Sequence, residues 1–375
     1  MLLDSRFHGN DRKGIFSKSY IVTEGLIHLS PSSVRVRNET FLPVGNIILF
    51  LRKQPMKKLS DLLDKLPMKP STREFIREGR KVPGYTFLDF LHGYFYGRWP
   101  YFYIGVGTGN HPLSKILQRA GVFLLGILGI DTQNDNGRGK RNQGKQTSFA
   151  DSYHGKVMPL QSAKGLIQVG REIRLENLER VIPYALAKDL ILKQPDHIVA
   201  LECPCRAVRP DPCLPLDVCL IMGEPFASFV AEHHPRRTRW VTSEEAASIL
   251  EAEHRRGHVH HAFFKDAMLG RFYAICNCCS CCCGAMNAHR TGIPMLASSG
   301  YRCKIQEGSC TGCGACAEAC PFHAITLKGE TAEVDPNRCM GCGVCVDRCD
   351  HGAISLERDS SLPEPLELVE LIRKP

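Results

Sequence analysis

The first 200 residues of this 375-residue chain contain no cysteine, although the whole chain has 19. A long apolar run is also missing: the longest, residues 120–130, covers about 11 residues, whereas a membrane-spanning helix needs about 20. The first twenty residues carry Asp4, Arg6 and Asp11 and no continuous apolar core, so they do not resemble a secretory signal. Since disulfide frameworks need an oxidising compartment, these absences predict a soluble, cytoplasmic protein of a reducing, anaerobic cell.

Several functional motifs are absent as well. The chain has no flavin- or nicotinamide-binding motif and no helix-turn-helix pattern with a basic recognition helix. The net charge is +9, but residues 301–375 contain 8 Lys/Arg and 12 Asp/Glu, so they carry about −4 and leave about +13 for the rest. This separation of charge favours electrostatic packing of the acidic C-terminal part on the basic remainder, or a basic surface that binds an acidic partner. It is weak support for nucleic-acid binding.

Two cysteine runs near the C-terminus carry most of the functional information. They are Cys310-x2-Cys313-x2-Cys316-x3-Cys320-Pro321 and Cys339-x2-Cys342-x2-Cys345-x3-Cys349. Each cysteine of the second run lies 29 residues after its counterpart, as do two glycines, so a unit is duplicated. Glycine lets the backbone pass close to a ligand. The short apolar stretches that follow, residues 324–327 and 353–356, predict strands that cover the clusters.

Over residues 301–358 this spacing resembles that of bacterial ferredoxins with two 4Fe–4S clusters, whose fourth cysteine binds the other cluster. The resemblance implies two ligand sets: Cys310, Cys313, Cys316 and Cys349 for cluster 1, and Cys339, Cys342, Cys345 and Cys320 for cluster 2. The two runs differ in that Pro321 follows the first and Asp350 follows the second. A zinc scaffold is the weaker alternative, because the glycines of the two runs also match.

A further cysteine set begins at Cys203-Pro204-Cys205 and continues with Cys213 and Cys219. Pro204 favours an extended conformation for the residue before it, and side chains two positions apart in an extended segment point the same way. Cys203 and Cys205 could therefore bind one metal, and Cys219 is predicted on a short helix. Four thiolates suit either a 4Fe–4S cluster or a zinc site with four cysteine ligands.

The densest cysteine run covers residues 276–283, with six cysteines in eight positions. If this run is helical from Cys278, then Cys278 and Cys282 share one face, and Cys279 and Cys283 share the next. The predicted ligands of a third centre, either iron–sulfur or zinc, are Cys203, Cys205, Cys213, Cys219, Cys276, Cys278, Cys279, Cys282 and Cys283. Cys281 and Cys303 fit the alternative role of small buried apolar side chains.

The order of these motifs resembles a group of uncharacterised 4Fe–4S proteins of anaerobes over residues 85–358. That resemblance implies iron–sulfur binding and does not identify a substrate. Just before the dense cysteine run, His258, His260 and His261 are interpreted as surface residues of a strand, with a ligand role as the alternative. The aromatic segment 85–103 is interpreted as a buried anchor, with a docking surface or pocket wall as the alternative.

The predicted fold class is α+β: a mostly helical, cysteine-rich N-terminal and middle domain followed by a ferredoxin-like two-cluster α+β domain. Residues 1–13 resemble the translation of an intergenic repeat, so 1–55 is predicted to be a non-native or disordered extension and Met56 the natural start. The remaining predicted segments are a helical aromatic-rich segment (56–130), a polar linker or loop (131–148), a cysteine-rich middle domain (149–300), a ferredoxin domain (301–358) and a C-terminal tail (359–375).

Capping signals and periodicity also predict individual elements. Helices are expected over residues 71–79, 160–169, 178–193 and 242–257. Short strands are expected over residues 197–201, 258–264 and 271–275.

The leading functional hypothesis is an iron–sulfur electron-transfer protein. Its two 4Fe–4S clusters would relay electrons to or from the middle-domain centre, as a component of an anaerobic oxidoreductase system that includes redox partner proteins. The alternative is an oxidoreductase whose own middle-domain cluster reduces a substrate that the sequence does not identify. A redox regulator that binds nucleic acid is a third hypothesis, supported only by the basic charge.

Overall fold

The computed structural model describes residues 67–116 and 149–373. The predicted extension 1–55, the linker 131–148 and the alternative start at Met56 lie outside the described residues. The helices of the described part are α1 (Pro70–Gly79), α2 (Phe87–Arg98), α3 (Pro100–Gly107), α4 (Phe149–Ser152), α5 (Leu160–Ile167), α6 (Pro204–Ala207), α7 (Phe226–His233), α8 (Ser243–Arg255), α9 (Gly284–Arg290), α10 (Ala315–Ala319) and α11 (Leu368–Arg373).

The strands of the described part fall into one large sheet and three small ones. They are β1 (Tyr153–Met158), β2 (Ile173–Leu175), β3 (Leu190–Leu192), β4 (Ile198–Glu202), β5 (Asp217–Met222), β6 (Thr238–Val241), β7 (Val259–Lys265), β8 (Arg271–Cys278), β9 (Leu296–Ala297), β10 (Tyr301–Ile305), β11 (Ile325–Lys328), β12 (Thr331–Val334) and β13 (Ile354–Arg358).

The middle part of the chain is built on a seven-stranded mixed sheet with the order β6-β4-β5-β8-β7-β1-β9. Neighbouring strands are antiparallel except for β1 and β9, which are parallel. The prediction of a mostly helical N-terminal and middle domain is therefore wrong. The sheet is covered on both faces, and strands buried on both faces are apolar at nearly every position, so they lack the two-residue alternation that identifies a strand in a sequence.

Strand β4 shows how the two faces are used. Val199 and Leu201 belong to one hydrophobic core and Ile198 and Ala200 to the other, as expected for side chains that alternate across a strand. Helices α1, α2 and α7 contribute to the first core, and helices α5 and α8 contribute to the second. The sheet is thus the middle layer of three.

Most predicted elements near the cysteines are confirmed, within one or two residues at β4, β7 and helix α5. Helix α8 is capped as predicted, since the Thr242 side chain accepts a hydrogen bond from the Glu245 N–H. Helix α1 also forms, but Lys69 is its N-cap residue and no side chain caps it. Strand β8 continues three residues beyond its predicted end.

The helix predicted over residues 178–193 is wrong. Residues 190–192 form β3, which pairs with β2, and Ala187 has a left-handed φ of 51°. Pro183 has no N–H to donate within a helix, so the strand pairing prevails over the local helical pattern.

The aromatic segment forms helices α2 and α3 and packs on the sheet. Phe90 and Tyr96 are buried, and Phe90 makes an edge contact with Phe75 of α1 at 5.5 Å between ring centroids. The Tyr96 hydroxyl lies 2.7 Å from the Tyr273 hydroxyl on β8. This part of the chain is therefore a buried anchor, and one of its tyrosines reaches the cysteine-lined region of the sheet.

The C-terminal part consists of two small antiparallel sheets, β10 with β13 and β11 with β12. Their registers repeat the sequence duplication. Cys303 pairs with Leu356, and Leu327 pairs with Ala332. Ala332 lies 29 residues after Cys303, and Leu356 lies 29 residues after Leu327. The two strands predicted after the cysteine runs are confirmed as β11 and β13.

Candidate metal centres

Two cavities of about 20 Å³ each lie in the C-terminal part, and each is lined by one predicted cysteine set. The first is lined by Cys310, Cys313, Cys316 and Cys349. The second is lined by Cys320, Cys339, Cys342 and Cys345, together with Cys303. The fourth cysteine of each run thus lies at the other run's cavity. The role of these sulfur atoms as iron ligands stays a prediction.

Glycine is required where each cysteine loop passes close to the backbone of another segment, which is strand β10 for Gly341 and the β11–β12 turn for Gly312. Gly312 and Gly341 have left-handed φ values of 65° and 66°. A Cβ atom at Gly341 would lie 2.2 Å from the Tyr301 carbonyl oxygen, and one at Gly312 would lie 2.4 Å from the Glu330 carbonyl oxygen. Only glycine fits both the dihedral angle and the close approach.

Backbone amides donate hydrogen bonds to sulfur at equivalent places in the two halves. The Ala324 N–H donates to Cys320 Sγ and the Ala353 N–H donates to Cys349 Sγ, both at 3.3 Å. Hydrogen bonds of this kind stabilise negative charge on sulfur and tune the potential of a bound cluster.

The two C-terminal cavities differ in their surroundings. Cys313 of the first is exposed, whereas Cys342 of the second is buried. Phe322, which lines the second cavity, contacts the His289 ring of α9 at 6.0 Å between centroids. Arg348, which lines the first, donates a hydrogen bond to the Arg255 carbonyl oxygen of α8. Both cavities therefore border the sheet part of the molecule, and the first contains the exposed cysteine.

Cys303 is a fifth sulfur at the second cavity, and sequence reasoning had assigned it only a packing role. Its Sγ lies 3.6 Å from Cys345 Sγ, and its N–H donates to Cys339 Sγ at 3.4 Å. The contact between the two sulfur atoms raises the pKa of Cys303 and lowers that of Cys345. The equivalent position at the first cavity is Ala332.

A third cavity, of about 70 Å³, lies against the large sheet and is lined mainly by apolar groups and cysteines. Six of its cysteines come from segments far apart in the sequence: Cys203 after β4, Cys205 on α6, Cys219 on β5, Cys276 and Cys278 on β8, and Cys283 before α9. The sheet register aligns Cys219 with Cys276, and alternation along β8 turns Cys278 to the same face as Cys276.

The thiols of these six residues contact one another in a continuous chain. Its order is Cys276, Cys219, Cys203, Cys205, Cys283 and Cys278. The contact with Cys205 is the largest cause that raises the pKa of Cys203 to about 12, and the contact with Cys203 raises the pKa of Cys219 well above its usual value. As thiolates, these six residues would need a positive counter-charge, of the kind that a bound metal ion supplies.

One buried cation lies at the wall of this cavity. Arg206, next to Cys205, is 1% exposed and donates hydrogen bonds to the Glu253 carboxylate at 2.6 Å and to the Asn277 carbonyl oxygen at 2.9 Å. Burial alone would lower the pKa of Arg206, but the bond to Glu253 raises it, so the guanidinium stays charged beside the cysteines. Nothing in the sequence distinguished this arginine from a surface residue.

Of the remaining predicted ligands, Cys213 and Cys282 do not line the third cavity, whereas Cys279 does. Cys213 lies instead with Cys279 and Cys281, whose three sulfur atoms are all within 4.8 Å of one another. Cys279 also lines the third cavity, and Cys282 Sγ lies 3.4 Å from Cys281 Sγ. The expected grouping of Cys213 with its sequence neighbours is therefore not what the fold produces.

Several local predictions about these residues are wrong. Cys219 lies on a strand rather than a short helix, and the run after Cys278 is a turn that leads into α9 rather than a helix. Cys281 is exposed, so it is not a buried apolar side chain. The three histidines at 258, 260 and 261 are buried rather than at the surface, because β7 is covered on both faces.

Comparison with known proteins identifies one part of the chain. Residues 309–353 match the family model described as a 4Fe-4S dicluster domain. No curated protein sequence matches the chain significantly. The C-terminal part is therefore a ferredoxin-type iron–sulfur domain that binds 4Fe–4S clusters. Among the described helices, none has the length and apolar content needed to cross a membrane.

Proposed function

We propose that this protein transfers electrons through two 4Fe–4S clusters in its C-terminal domain to or from a third, cysteine-bound centre in the sheet domain, as a component of an anaerobic oxidoreductase system. One observation carries the proposal. Apart from Cys313 and Cys279, the cysteines that line the three cavities belong to, or pack against, one continuous hydrophobic core. A continuous packed core between redox centres excludes water and keeps the centres at fixed separations.

The surroundings of the cavities give the relay an order. The first cavity, with exposed Cys313, is the proposed site of exchange with an external redox partner protein. The second, which packs through Phe322 against α9, is the proposed intermediate. Helix α9 begins directly after Cys283, so the same element borders the third cavity.

The third cavity suits an iron–sulfur centre better than a single metal ion. Its six thiols exceed the four ligands that one tetrahedral ion accepts. The apolar lining excludes water, and buried Arg206 offsets part of the negative charge that a thiolate-bound cluster carries.

The direct test counts the centres in protein purified without oxygen. Three cubane clusters would give about 12 iron and about 12 acid-labile sulfide ions per chain, and reduction would produce the EPR signals of interacting clusters. A count of about eight of each would leave the third cavity without a cluster and contradict the relay to it. Colourless protein without labile sulfide would contradict the whole proposal.

A second candidate function, an oxidoreductase with its own substrate-reducing cluster, is favoured by the tyrosines beside the third cavity. Tyr96, Tyr153 and Tyr273 line it, and their hydroxyls form one hydrogen-bonded group. Such a group could deliver a proton to a substrate that receives electrons at the centre. An EPR signal of the third centre that changes when a small reducible molecule is added would favour this function over simple relay.

A further inference from the structure

We propose that Cys213, Cys279, Cys281 and His258 form a tetrahedral site for a single zinc ion, separate from the six-cysteine cavity. Within residues 67–116 and 149–373, these three cysteines are the one trio of potential metal ligands whose donor atoms all lie within 4.8 Å of one another. His258 Nε2 lies 3.6 Å from Cys213 Sγ. His258 Nε2 does not lie within 4.8 Å of all three sulfurs, so its ring has to turn toward Cys279 and Cys281 to complete the set. Three sulfurs and one nitrogen are a donor set that structural zinc sites use.

The spacing of these atoms fits one ion rather than a cluster. Zinc holds sulfur at about 2.3 Å and nitrogen at about 2.0 Å, so its tetrahedral ligands lie about 3.5 to 3.8 Å from one another. In a cubane, each thiolate binds a different iron atom, and the four sulfurs lie farther apart. The C-terminal cysteines follow that second pattern, because no three of them meet the close spacing that Cys213, Cys279 and Cys281 meet.

His258 is oriented as a metal ligand rather than as a packing residue. Its Nδ1 lies 2.6 Å from Glu253 Oε2. Arg206 Nη2 also lies 3.1 Å from Nδ1. Nδ1 thus faces the Glu253–Arg206 pair, and Nε2 is the ring nitrogen that faces Cys213. Histidines that bind zinc are commonly held by a carboxylate in this way.

The site joins three segments that are distant in the sequence. Cys213 lies in the loop between α6 and β5, His258 precedes β7, and Cys279 and Cys281 lie in the turn between β8 and α9. That turn connects Cys278 to Cys283, which both line the third cavity. A zinc ion with four protein ligands would hold this turn in place from outside, whether or not the cavity contains a cluster.

Cys282 is the rival fourth ligand, because its sulfur lies 3.4 Å from Cys281 Sγ. It is buried, whereas Cys281 is exposed and Cys213 is half-buried. The His258 assignment rests on the Nε2 contact with Cys213 and on the carboxylate that holds the ring. The two donor sets, three sulfurs with one nitrogen or four sulfurs, differ in their zinc-edge X-ray absorption spectra.

The test measures zinc independently of iron, on the full chain purified without oxygen and without chelators. The chain should contain about one zinc ion, with three sulfurs at about 2.3 Å and one nitrogen at about 2.0 Å. Cys281→Ser and His258→Gln should each lose most of the zinc, while iron and labile sulfide stay unchanged. Cys282→Ser is the matched control and should keep it.

Three results would overturn the site. They are wild-type protein that contains iron but no zinc, loss of iron rather than zinc in Cys281→Ser, and a zinc spectrum with four sulfurs that Cys282→Ser abolishes and His258→Gln does not. The first result and the number of sulfurs in the wild-type zinc spectrum are both measured on folded wild-type protein, so they hold even if His258→Gln folds poorly. Failure of the iron count alone would contradict the electron relay and leave the zinc site standing.

Discussion

The C-terminal domain and the sheet domain gather their cysteines in opposite ways. In the C-terminal domain, three of the four cysteines at each cavity come from one loop, and the fourth comes from a copy of that loop. In the sheet domain, six cysteines reach one cavity from two strands, two helix starts and a short helix. The first arrangement is local and repeated, whereas the second exists only because the sheet brings distant segments together.

This difference has a chemical consequence. The first C-terminal cavity has as many cysteines as one cubane needs, so none can be lost. Seven cysteines line the third cavity, and the six that contact one another in a chain are already two more than a cubane needs. Loss of one cysteine from the first C-terminal cavity should therefore prevent cluster binding, whereas the third cavity contains more thiols than one cubane uses.

Replacing single cysteines gives the largest expected effect and tests this contrast directly. Cys313→Ser should remove one cluster, so that iron falls from about 12 to about 8 per chain. Among six single serine variants of the third cavity, at least two should keep the wild-type iron content. Iron and sulfide analysis of anaerobically purified variants measures both. If all six variants lose iron, the centre is not a cubane but a larger cluster that uses every thiol.

The same contrast decides what could be predicted from the sequence. The grouping of the cysteines at the two C-terminal cavities could be predicted, because their spacing is visible in the sequence and the resemblance to two-cluster ferredoxins implies the exchange of the fourth cysteine. The grouping in the sheet domain could not, because it depends on strand register: Cys219 meets Cys276 only when β5 pairs with β8. The cysteines were recognised as metal-binding candidates, but their division into two groups was not.

The same reason explains the errors in the fold. The segment of β8 reads Arg-Phe-Tyr-Ala-Ile-Cys-Asn-Cys and is buried at nearly every position, so it has no alternation to identify its full length. By contrast, α8 carries its own capping signal in Thr242 and Glu245 and was predicted correctly. Local signals were readable, whereas features imposed by tertiary packing were not.

A second prediction concerns the need for glycine in the C-terminal cysteine loops. Gly341→Ala should destabilise the C-terminal domain by about 2 to 4 kcal/mol, since it adds a left-handed alanine and a Cβ 2.2 Å from the Tyr301 carbonyl oxygen. Gly352→Ala is the matched control: it has a similar φ of 61° but nothing within 4 Å of the added Cβ. It should cost only about 1 kcal/mol.

The measurement is the midpoint of thermal unfolding at a fixed heating rate, with the iron–sulfur absorbance as the signal. Equal midpoints for Gly341→Ala and Gly352→Ala would show that the close approach of Gly341 to the Tyr301 carbonyl oxygen adds no cost of its own to the substitution. Gly312 is the equivalent position in the first cysteine run. Gly312→Ala should lower the unfolding midpoint about as much as Gly341→Ala, because its Cβ would lie 2.4 Å from the Glu330 carbonyl oxygen.

A third prediction is confined to the sheet domain. Burial lowers the pKa of His154 on β1 to about 4, against 6.5 in the unfolded chain. Because the unfolded state binds more protons below pH 6.5, stability is lost as the pH falls from about 6.5 to about 4. By about pH 5 this residue alone should cost about 2 kcal/mol.

His154→Phe should remove that part of the acid sensitivity and keep the ring stacked on Tyr184, which lies 4.0 Å away between centroids. Thermal midpoints of the variant and the wild type should differ more at about pH 5 than at about pH 7.5. An unchanged difference between the two pH values would contradict the burial of a neutral imidazole at this position.

The smallest expected effect distinguishes the two halves of the C-terminal domain. Cys303 Sγ lies 3.6 Å from Cys345 Sγ, so its thiol can donate to that sulfur when Cys345 binds iron as a thiolate; the equivalent position in the other half is Ala332. A donor to a ligand sulfur stabilises the extra electron of a reduced cluster, so Cys303→Ala should lower the potential of the second cluster by on the order of tens of millivolts. The reciprocal change Ala332→Cys should raise the potential of the first. EPR-monitored redox titration, with iron content as the control, measures both shifts. A fully loaded Cys303→Ala protein with an unshifted potential would mean that this fifth sulfur only fills space.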